Sequence, residues 1–417
     1  MKRRLRIGID AMLADGSQGG VQQFIIGLAQ GLSNLTDGDE AYIFLTYQNH
    51  EAWLAPYIAG NCEIHTVKPA PVPPVWKRSL RRFAMLRRWW HQLRSMTNEI
   101  KVPVSDGAIE RLKLDLLHFT TQRGFLTEVP TIYHPWDLQH IHLPQFFTPL
   151  ERSHRDTLYR AYCQQAVMVA VASTWTKQDI ITHYRIDADK MSVIPMASVI
   201  SGYPEPSEEK IQRVKNTYAL PDRFAFYPAN SWPHKNHINL LRAIAHLRDT
   251  FNIVVPVVLT GSREPHASSI DRIIETLSLQ EQVHWLGYVP GSDIAAIYRL
   301  CTMMVFPSRF EGWGLPLSEA MQAGVPIACS NANHLPALVA DAAVLFDPED
   351  VNSIAQSIRR IWTDDALQVA LGRNGKRRAA DFSWDKTARI FRAHYRRIGS
   401  ADLTEEDRRL LTQEPLV

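Results

Sequence analysis

Residues 306–326 read FPSRFEGWGLPLSEAMQAGVP, and this stretch decides the fold. The apolar residues that lead into it predict a strand, and the residues after Gly314 predict a helix. Pro316 is typical of a first helical turn, and Gly324 is typical of the residue that follows the last turn. Gly312 and Gly314 let a ligand approach the backbone closely just before the helix begins. The stretch therefore predicts a strand, a glycine loop and a helix whose N-terminus points at a ligand.

The same alternation of short apolar runs and amphipathic stretches recurs along the whole chain. Continuous apolar runs favour parallel strands with helices on both faces of each sheet, which is an α/β class built from doubly wound units. In such folds, ligands bind beyond the carboxyl ends of the strands. The predicted strands lie at 6–11, 41–47, 62–67, 114–120, 130–134, 167–172, 191–196, 224–228, 254–260, 283–287, 303–307, 326–330 and 343–347.

The alternation breaks once, at the proline-containing stretch 198–206. We therefore predict two Rossmann-like domains of similar size that face a cleft. The first spans residues 1–200, a linker spans 201–217, and the second spans 218–384. Residues 385–417 are predicted to form a C-terminal helix that returns to the first domain, followed by a tail.

Composition agrees with a globular chain of two domains, because 45% of its 417 residues are apolar and 21% are charged. The four cysteines are scattered without a CxxC or Cys/His cluster, so we expect reduced thiols in a cytoplasmic protein. No secretion signal is recognised at the start. The longest apolar runs fall short of the roughly 20 residues that span a bilayer, so any membrane contact is expected to be peripheral.

Two glutamates flank the start of the predicted helix, with Glu311 in the glycine loop and Glu319 near the first turn. The free N–H groups of a helix N-terminus attract a diphosphate, and carboxylates accept hydrogen bonds from pairs of hydroxyl groups. The combination indicates a nucleotide sugar. The glutamates, eight positions apart around Gly-Trp-Gly-Leu-Pro, resemble the paired-glutamate motif of family-four retaining glycosyltransferases, which have the GT-B fold.

The resemblance covers nearly the whole chain, most specifically residues 224–346, and it implies roles for this loop. Glu311 would contact the transferred sugar, and Glu319 would accept hydrogen bonds from the ribose hydroxyls. The intervening loop would line the sugar and phosphate region of the donor. The alternative is an ordinary solvated helix cap. The further donor-binding residues implied here are Gly312, Trp313, Gly314 and Leu315.

Lys235 lies in the segment YPANSWPHKNH at 227–237, where a strand is predicted to end and a helix to begin. A lysine at a helix start is a poor partner for the helix dipole and therefore hints at an anion, although a plain surface lysine is the alternative. The resemblance implies that Lys235 neutralises the donor diphosphate as the leaving group forms. The family usually adds an arginine nearby, whereas this chain has Ala229 and His234 there.

Other loops after predicted strands resemble further parts of the family's site. Gly19 and Gly20 resemble a Gly-Gly loop that approaches the donor phosphates, although a flexible turn is the alternative. The loop at 286–290, with Tyr288 and Val289, resembles the nucleobase loop, and Gly261 ends the strand before it.

The segment 134–142 resembles the one that carries a His-Asp pair in related enzymes. Trp136 stands at the usual histidine position and Asp137 keeps its place. An imidazole from His140 or His134 would complete the pair, or these histidines only pack the loop. The catalytic residues predicted from the sequence are therefore Glu311, Lys235, Asp137 and His140.

A basic and aromatic segment lies at 76–98. It carries seven basic residues and no acid, which leaves +3 − 7 = −4 for the rest of the chain. Its apolar residues recur every three or four positions, which predicts a basic amphipathic helix at an anionic membrane surface. Core packing and nucleic-acid binding are alternatives, and nucleic acid is disfavoured because no recognised binding module accompanies the charges. The predicted membrane residues are Trp76, Arg81, Arg82, Phe83, Arg87, Arg88, Trp89 and Trp90.

The expected function is a hexosyltransferase that moves a sugar from a nucleotide diphosphate sugar to a glycan acceptor. We expect a lipid-linked acceptor, used in cell-surface polysaccharide or glycolipid synthesis at the inner face of the membrane. No cofactor or metal is expected, because the pair Asp187 and Asp189 indicates a plain turn. The rivals are a sugar-nucleotide epimerase or phosphorylase, and a non-catalytic peripheral membrane protein. Mannose is one possible sugar, and the sequence leaves sugar, base, acceptor, linkage and oligomeric state open.

Overall fold

A computed structural model describes residues 4–13, 19–68, 100–198, 205–263 and 266–417. The chain divides into two compact units. Unit 1 contains residues 1–171, 179–192 and 388–413, and unit 2 contains 172–178, 193–387 and 414–417. Residues 193–198, which the sequence analysis assigns to the first domain, therefore lie in unit 2. The predicted membrane segment at 76–98 lies outside the described residues.

The first sheet has the strand order β3-β2-β1-β4-β5-β6-β7, and the strand pairs whose register is described are parallel. Its central strands β4 and β6 are buried along their whole length, as expected for a sheet covered on both faces. The strands are β1 (Arg6–Asp10), β2 (Ala41–Tyr47), β3 (Cys62–Val67), β4 (Leu116–Phe119), β5 (Thr131–Tyr133), β6 (Met168–Val171) and β7 (Met191–Val193).

The second sheet has the order β10-β9-β8-β11-β12-β13, again with parallel neighbours. The strands β9, β11 and β12 are fully buried. The prediction of two doubly wound parallel-sheet units is confirmed. The strands are β8 (Ala225–Pro228), β9 (Val257–Thr260), β10 (Val283–Trp285), β11 (Met303–Phe306), β12 (Ile327–Ser330) and β13 (Ala343–Phe346).

Helices separate most of the strands. In the first part of the chain they are α1 (Gly19–Ser33), α2 (Gln139–His142), α3 (Pro149–Gln165) and α4 (Thr174–Tyr184). Further along they are α5 (Glu208–Thr217), α6 (His237–Phe251), α7 (Ala267–Thr276), α8 (Gly291–Leu300), α9 (Leu315–Ala323), α10 (Leu335–Val339), α11 (Val351–Trp362), α12 (Asp365–Ala379), α13 (Trp384–Ile398) and α14 (Glu405–Thr412).

Residues 208–217, predicted as linker, form helix α5 within unit 2. The Ser207 side chain caps this helix by accepting a hydrogen bond from the backbone N–H of Lys210, and two glutamates in the first turn favour its N-terminus. Asp293 of α8 pairs with Lys210 and accepts a hydrogen bond from Tyr218. These contacts explain why the charged stretch is helical and attached to unit 2.

The C-terminal helix α13 begins in unit 2 and continues into unit 1. Within unit 1, the buried Arg396 guanidinium binds the carboxylates of Glu40, at 2.5 Å, and Asp407, at 2.8 Å. Tyr395, one residue earlier, makes a 2.7 Å hydrogen bond with the ring of His118 at the end of β4. Side chains near the C-terminus thus complete the core of unit 1.

The four cysteines are free thiols, three of them buried and Cys301 partly buried. Among the described residues, no helix combines the length and the apolar character that crossing a bilayer requires.

Candidate active site

The sheet of unit 2 reverses its strand order between the neighbours β8 and β11. The chain moves outward on one side through β9 and β10, and on the other side through β12 and β13. Loops that leave two such strands diverge and leave a crevice at the carboxyl edge, which is where doubly wound folds bind ligands. The loop after β8 carries Lys235, and the loop after β11 carries Glu311.

The two predicted catalytic side chains meet at this point. Lys235 Nζ lies 2.6 Å from Glu311 Oε1, although the residues are 76 positions apart. The Lys235 side chain is 20% exposed and the Glu311 side chain 10%, so the ion pair is largely removed from water. The pair therefore holds a cation ready at the crevice.

The backbone around Lys235 is fixed by hydrogen bonds to neighbouring loops. Asn236, in the left-handed region with φ of 62°, donates its side-chain amide to the carbonyls of Pro307, at 3.0 Å, and Pro348, at 2.8 Å. The hydroxyl of Tyr227 donates to the Lys235 carbonyl at 2.8 Å. These bonds join the loop after β8 to the loop after β11, and sequence reasoning missed both Asn236 and Tyr227.

Helix α9 begins as the sequence predicts. Gly314 precedes it with φ of 102°, Pro316 occupies its first turn, and Gly324 follows its end with φ of 72°. Its first turn contains no acidic residue, so no carboxylate of that turn neutralises the positive end of the helix dipole. The helix N-terminus and Glu311 share the same short loop. The free N–H groups at the start of α9 and the Glu311 carboxylate are therefore close in sequence.

Glu319 lies within α9 and is partly buried. Tyr298, on α8, donates its hydroxyl to Glu319 Oε2 at 3.0 Å, and the same hydroxyl lies 3.2 Å from the carbonyl of Pro316. Burial raises the pKa of Glu319 to about 7, and the Tyr298 hydrogen bond only partly offsets this. The carboxyl group therefore changes its ionisation near neutral pH. Nothing in the sequence around Tyr298 indicated this contact.

The side chain of Trp313 packs inside unit 2. Its indole is buried, donates to the hydroxyl of Ser318 at 3.1 Å, and packs against Phe382. The ring of His334 stacks on the indole and donates to the Trp313 carbonyl at 2.7 Å. Trp313 thus fixes the shape of the glycine loop, and the indole itself is unavailable to a donor. Leu315 is also buried.

The loops after β9 and β10 touch through their glycines, since Gly261 donates its N–H to the carbonyl of Gly287 at 2.8 Å. Both have a positive φ, 107° and 74° respectively. A Cβ on Gly261 would lie 2.8 Å from the carbonyl group of Ala229, whereas a Cβ on Gly287 would meet nothing within 4 Å. Next to them Tyr288 is 77% exposed and Val289 is buried. The Tyr288 ring is free to stack on a planar group.

In unit 1, Gly19 and Gly20 form the exposed start of α1, and residues 14–18 before them lie outside the described residues. Sequence reasoning missed Asp10, which ends β1 beside this loop. Asp10 accepts hydrogen bonds from the Met12 N–H, at 3.0 Å, and the Thr121 hydroxyl, at 3.2 Å, and burial raises its pKa to about 6. Asp10 holds the loops after β1 and β4 together.

The predicted His-Asp segment is packed rather than open. The Asp137 side chain accepts a hydrogen bond at 3.0 Å from the N–H of Gln139, the first residue of α2. His140 is buried, makes a 3.3 Å hydrogen bond with the hydroxyl of Tyr184, and packs against Tyr159. Burial lowers the pKa of His140 to about 4, so the imidazole is neutral at physiological pH. Its catalytic role stays a prediction.

The neighbouring residues of this segment form an aromatic cluster. Trp136 has a φ of 65° and donates its indole N–H to the Thr120 carbonyl at 2.9 Å. His134 is buried between the rings of Trp136 and His118, and burial lowers its pKa to about 3. His134 and His140 are the two candidates for the missing imidazole, and both are buried. The pair Asp187 and Asp189 forms the predicted turn.

Comparisons with known proteins decide the family. Residues 208–378 match the model of glycosyl transferases group 1, and residues 18–197 match the model of glycosyltransferase family 4. The chain belongs to the family-four glycosyltransferases. The sequence-based recognition is therefore confirmed.

Solved structures of low sequence identity show the GT-B fold. Anabaena HepE, crystallised in complex with UDP and glucose, has a TM-score of 0.68 and 17% identity, with 94% of this chain and 99% of that chain covered. WaaG, a glycosyltransferase involved in lipopolysaccharide biosynthesis, has a TM-score of 0.65 and 13% identity, with 94% and 99% covered.

Curated relatives are similar over part or most of their length. The O-antigen chain mannosyltransferase B of Escherichia coli is 30% identical over 220 residues, which are 53% of this chain and 58% of that protein. The serotype-specific mannosyltransferase WbdA of Escherichia coli is 31% identical over 54% of this chain and 28% of its own length. D-inositol 3-phosphate glycosyltransferase of Corynebacterium glutamicum is 23% identical over 89% and 90%. The chain thus spans less than two thirds of the two mannosyltransferases.

Replacement of Gly261 by alanine tests the close approach of the loops. Gly261→Ala should destabilise unit 2 more than Gly287→Ala, because only the first places a Cβ against backbone. The left-handed backbone costs each variant about 1–2 kcal/mol, and overpacking adds about 1–3 kcal/mol for Gly261→Ala. Urea unfolding followed by tryptophan fluorescence measures the difference. Equal losses for the two variants would show that the contact with Ala229 is unimportant.

Proposed function

We propose that this chain is a retaining glycosyltransferase that moves a mannosyl group from a nucleotide diphosphate sugar to a glycan acceptor. The observation that carries the proposal is the ion pair of Lys235 and Glu311 at the switch point of the second sheet. The family resemblance implies a role in the donor site for both residues. The N-terminus of α9 and Glu319 lie on the same stretch of chain.

The chemistry of glycosyl transfer from such a donor requires stabilisation of a departing diphosphate. Negative charge grows on the leaving oxygen as the sugar–phosphate bond breaks. In the proposed site Lys235 exchanges Glu311 for the diphosphate, and the N–H groups at the start of α9 add their partial positive charge. Cations that are already in position cost no reorganisation during the reaction, which makes electrostatic stabilisation effective.

The exchange also frees Glu311 for the sugar. A carboxylate that loses its lysine partner accepts hydrogen bonds from sugar hydroxyls and fixes the ring for attack by the acceptor. Attack from the face on which the diphosphate leaves, assisted by that phosphate, keeps the α configuration. Asp137 and His140 of unit 1 remain proposed contributors near the reacting sugar.

Glu319 is proposed to bind the ribose of the donor. Its ionised carboxylate accepts hydrogen bonds from the two ribose hydroxyls, and the hydrogen bond from Tyr298 orients it. Tyr288 is proposed to lie against the nucleobase because its ring is exposed beside Gly287. The base itself is left open.

Mannose is favoured as the sugar because the relatives that are 30–31% identical are mannosyltransferases of Escherichia coli. A glycan acceptor is proposed for the same reason. The rival activities need no acceptor sugar: an epimerase acts on the donor alone, and a phosphorylase also needs inorganic phosphate. Incubation of the chain with the donor, without and with inorganic phosphate, therefore separates them from transfer.

Loss of the ion pair should abolish most of the transfer. The candidate sugar donors are GDP-mannose and UDP-mannose. With them, Lys235→Ala should lower kcat about 10²–10³-fold, the usual effect of removing one group that donates a hydrogen bond to the transition state. Glu311→Gln should lower the rate of transfer, and it should leave the affinity for the nucleotide product unchanged. The control is Lys215→Ala, which removes a partly exposed lysine paired with Asp222. Undiminished product formation by both site variants would refute the proposed roles.

Donor binding should weaken as the pH falls through about 7. Ribose hydroxyls donate to the ionised form of Glu319, so binding is full above its pKa of about 7 and is lost below it. Between pH 8 and pH 6 the affinity should fall about tenfold. Calorimetry with an intact nucleotide sugar is suitable because its diphosphate has no terminal oxygen that titrates in this range. Glu319→Gln should bind more weakly and without this pH dependence. A wild-type affinity that stays constant would contradict the ribose role.

The segment at 76–98 is proposed to hold the protein at an anionic membrane, where the acceptor lipid lies. Each arginine near such a surface contributes about 1 kcal/mol. Reversal of four arginines to glutamate should therefore abolish sedimentation with anionic liposomes, while reversal of four exposed arginines elsewhere should not. The test set is Arg81, Arg82, Arg87 and Arg88, and the control set is Arg152, Arg185, Arg408 and Arg409. Binding that survives in the test set would overturn the proposal.

A further inference from the structure

A cluster of two histidines and one aspartate lies in unit 1, and none of the three is assigned to the donor. His142 is the last residue of α2, and Asp179 and His183 lie one turn apart on α4. Asp179 Oδ1 is 2.7 Å from His142 Nε2 and 3.4 Å from His183 Nε2. The candidate ligand atoms of the three residues all lie within 4.8 Å of one another.

The Asp179 carboxylate is the unusual member of this cluster. Its side chain is only 6% exposed, and its second oxygen, Oδ2, has no hydrogen-bond partner. A buried carboxylate oxygen without a partner is costly, because the protein does not replace the hydrogen bonds that water provided. The carboxylate is therefore buried with one of its two oxygens unsatisfied.

We propose that His142, Asp179 and His183 bind a divalent transition-metal ion, with zinc as the best match to the ligands. Two imidazoles and one carboxylate are typical zinc ligands, and three protein ligands plus water complete a tetrahedral site. Bonds of about 2.1 Å in a tetrahedron place the ligand atoms about 3.4 Å apart. The observed separation between Asp179 and His183 already has this value.

The surroundings of the cluster allow an ion to enter. The side chains of His142 and His183 are 31% and 35% exposed, so the imidazole side of the site is open to water. On metal binding, Nε2 of His142 would exchange its hydrogen bond with Asp179 for a bond to the ion. The ion would neutralise the buried carboxylate, whose second oxygen has no other partner.

Metal binding here would link two separate elements of unit 1. The ligand His142 ends the short helix that begins after Asp137 and carries His140. The other two ligands belong to α4, which follows β6. The bound ion would therefore fix the end of the predicted acceptor-side segment to a long helix. This is a positioning role, separate from the charge that Lys235 supplies to the donor.

Zinc titration of the full chain tests the site without any measurement of transfer. The protein is stripped with EDTA, dialysed, and titrated with zinc in competition with a chromophoric chelator. We expect one zinc ion per chain. His142→Ala and His183→Ala should weaken its affinity more than about 100-fold, since loss of an outer-shell partner alone costs about 10–100-fold. The matched control is His154→Ala, an exposed histidine of α3, which should bind zinc as the wild type does.

A second variant and a second readout keep the test decisive. Asp179→Asn preserves the shape of the side chain and removes its charge, so it should fold and still lose zinc affinity. Cobalt bound to the wild type should give the visible absorption of a tetrahedral site, and the variants should not. Zinc binding that is unchanged in His183→Ala and Asp179→Asn would overturn the proposal. Absence of one-to-one binding in the wild type would also overturn it, leaving a hydrogen-bonded cluster only. Neither outcome affects the proposed transfer activity, because the titration does not involve a donor.

Discussion

The reversal of strand order between β8 and β11 is the constraint on which the candidate site depends. Parallel strands end at the same edge of a sheet, and the reversal separates the loops that follow these two neighbours. Lys235 and Glu311 meet there across 76 positions of sequence. Opposite charges in such a crevice attract each other more strongly than in water, because little solvent surrounds them. The same surroundings make the lysine an effective partner for a ligand anion.

Hydrogen bonds around the crevice maintain this geometry. The two carbonyls that accept from the Asn236 side chain belong to Pro307, in the loop after β11, and to Pro348, in the loop after β13. The Asn333 side chain donates to the Glu311 carbonyl from the loop after β12. Loops from several strands are therefore tied to one another at the backbone. A side chain held in this way needs little rearrangement to exchange its partner, which favours electrostatic catalysis.

Local patterns predicted the parts of the site that depend on local structure. Gly314, Pro316 and Gly324 marked the bounds of α9 because each has a backbone preference of its own. Continuous apolar runs predicted the strands, because a strand covered on both faces is apolar along its whole length. Contacts between distant segments have no local sequence pattern. Tyr298, which contacts Glu319, belongs to an amphipathic helix with no feature that marks this contact. Trp313 was expected at the donor, and its indole instead packs inside the loop. The placement of an aromatic side chain depends on what surrounds it, and a single sequence does not show that.

Three partly or fully buried carboxylates in the molecule differ in how their charge is compensated. Glu311 is paired with a lysine, and a ligand anion has to compete for that lysine. Burial raises the pKa of Glu319 to about 7, because its hydroxyl donor offsets the burial only in part and no cation accompanies it. Asp179 has imidazole neighbours on one oxygen and no partner on the other. Desolvation opposes the charge in each case, and the difference lies in what each carboxylate lacks. Glu319 has one hydroxyl donor and can accept further hydrogen bonds, such as those of a ribose, and Asp179 has one oxygen without a partner.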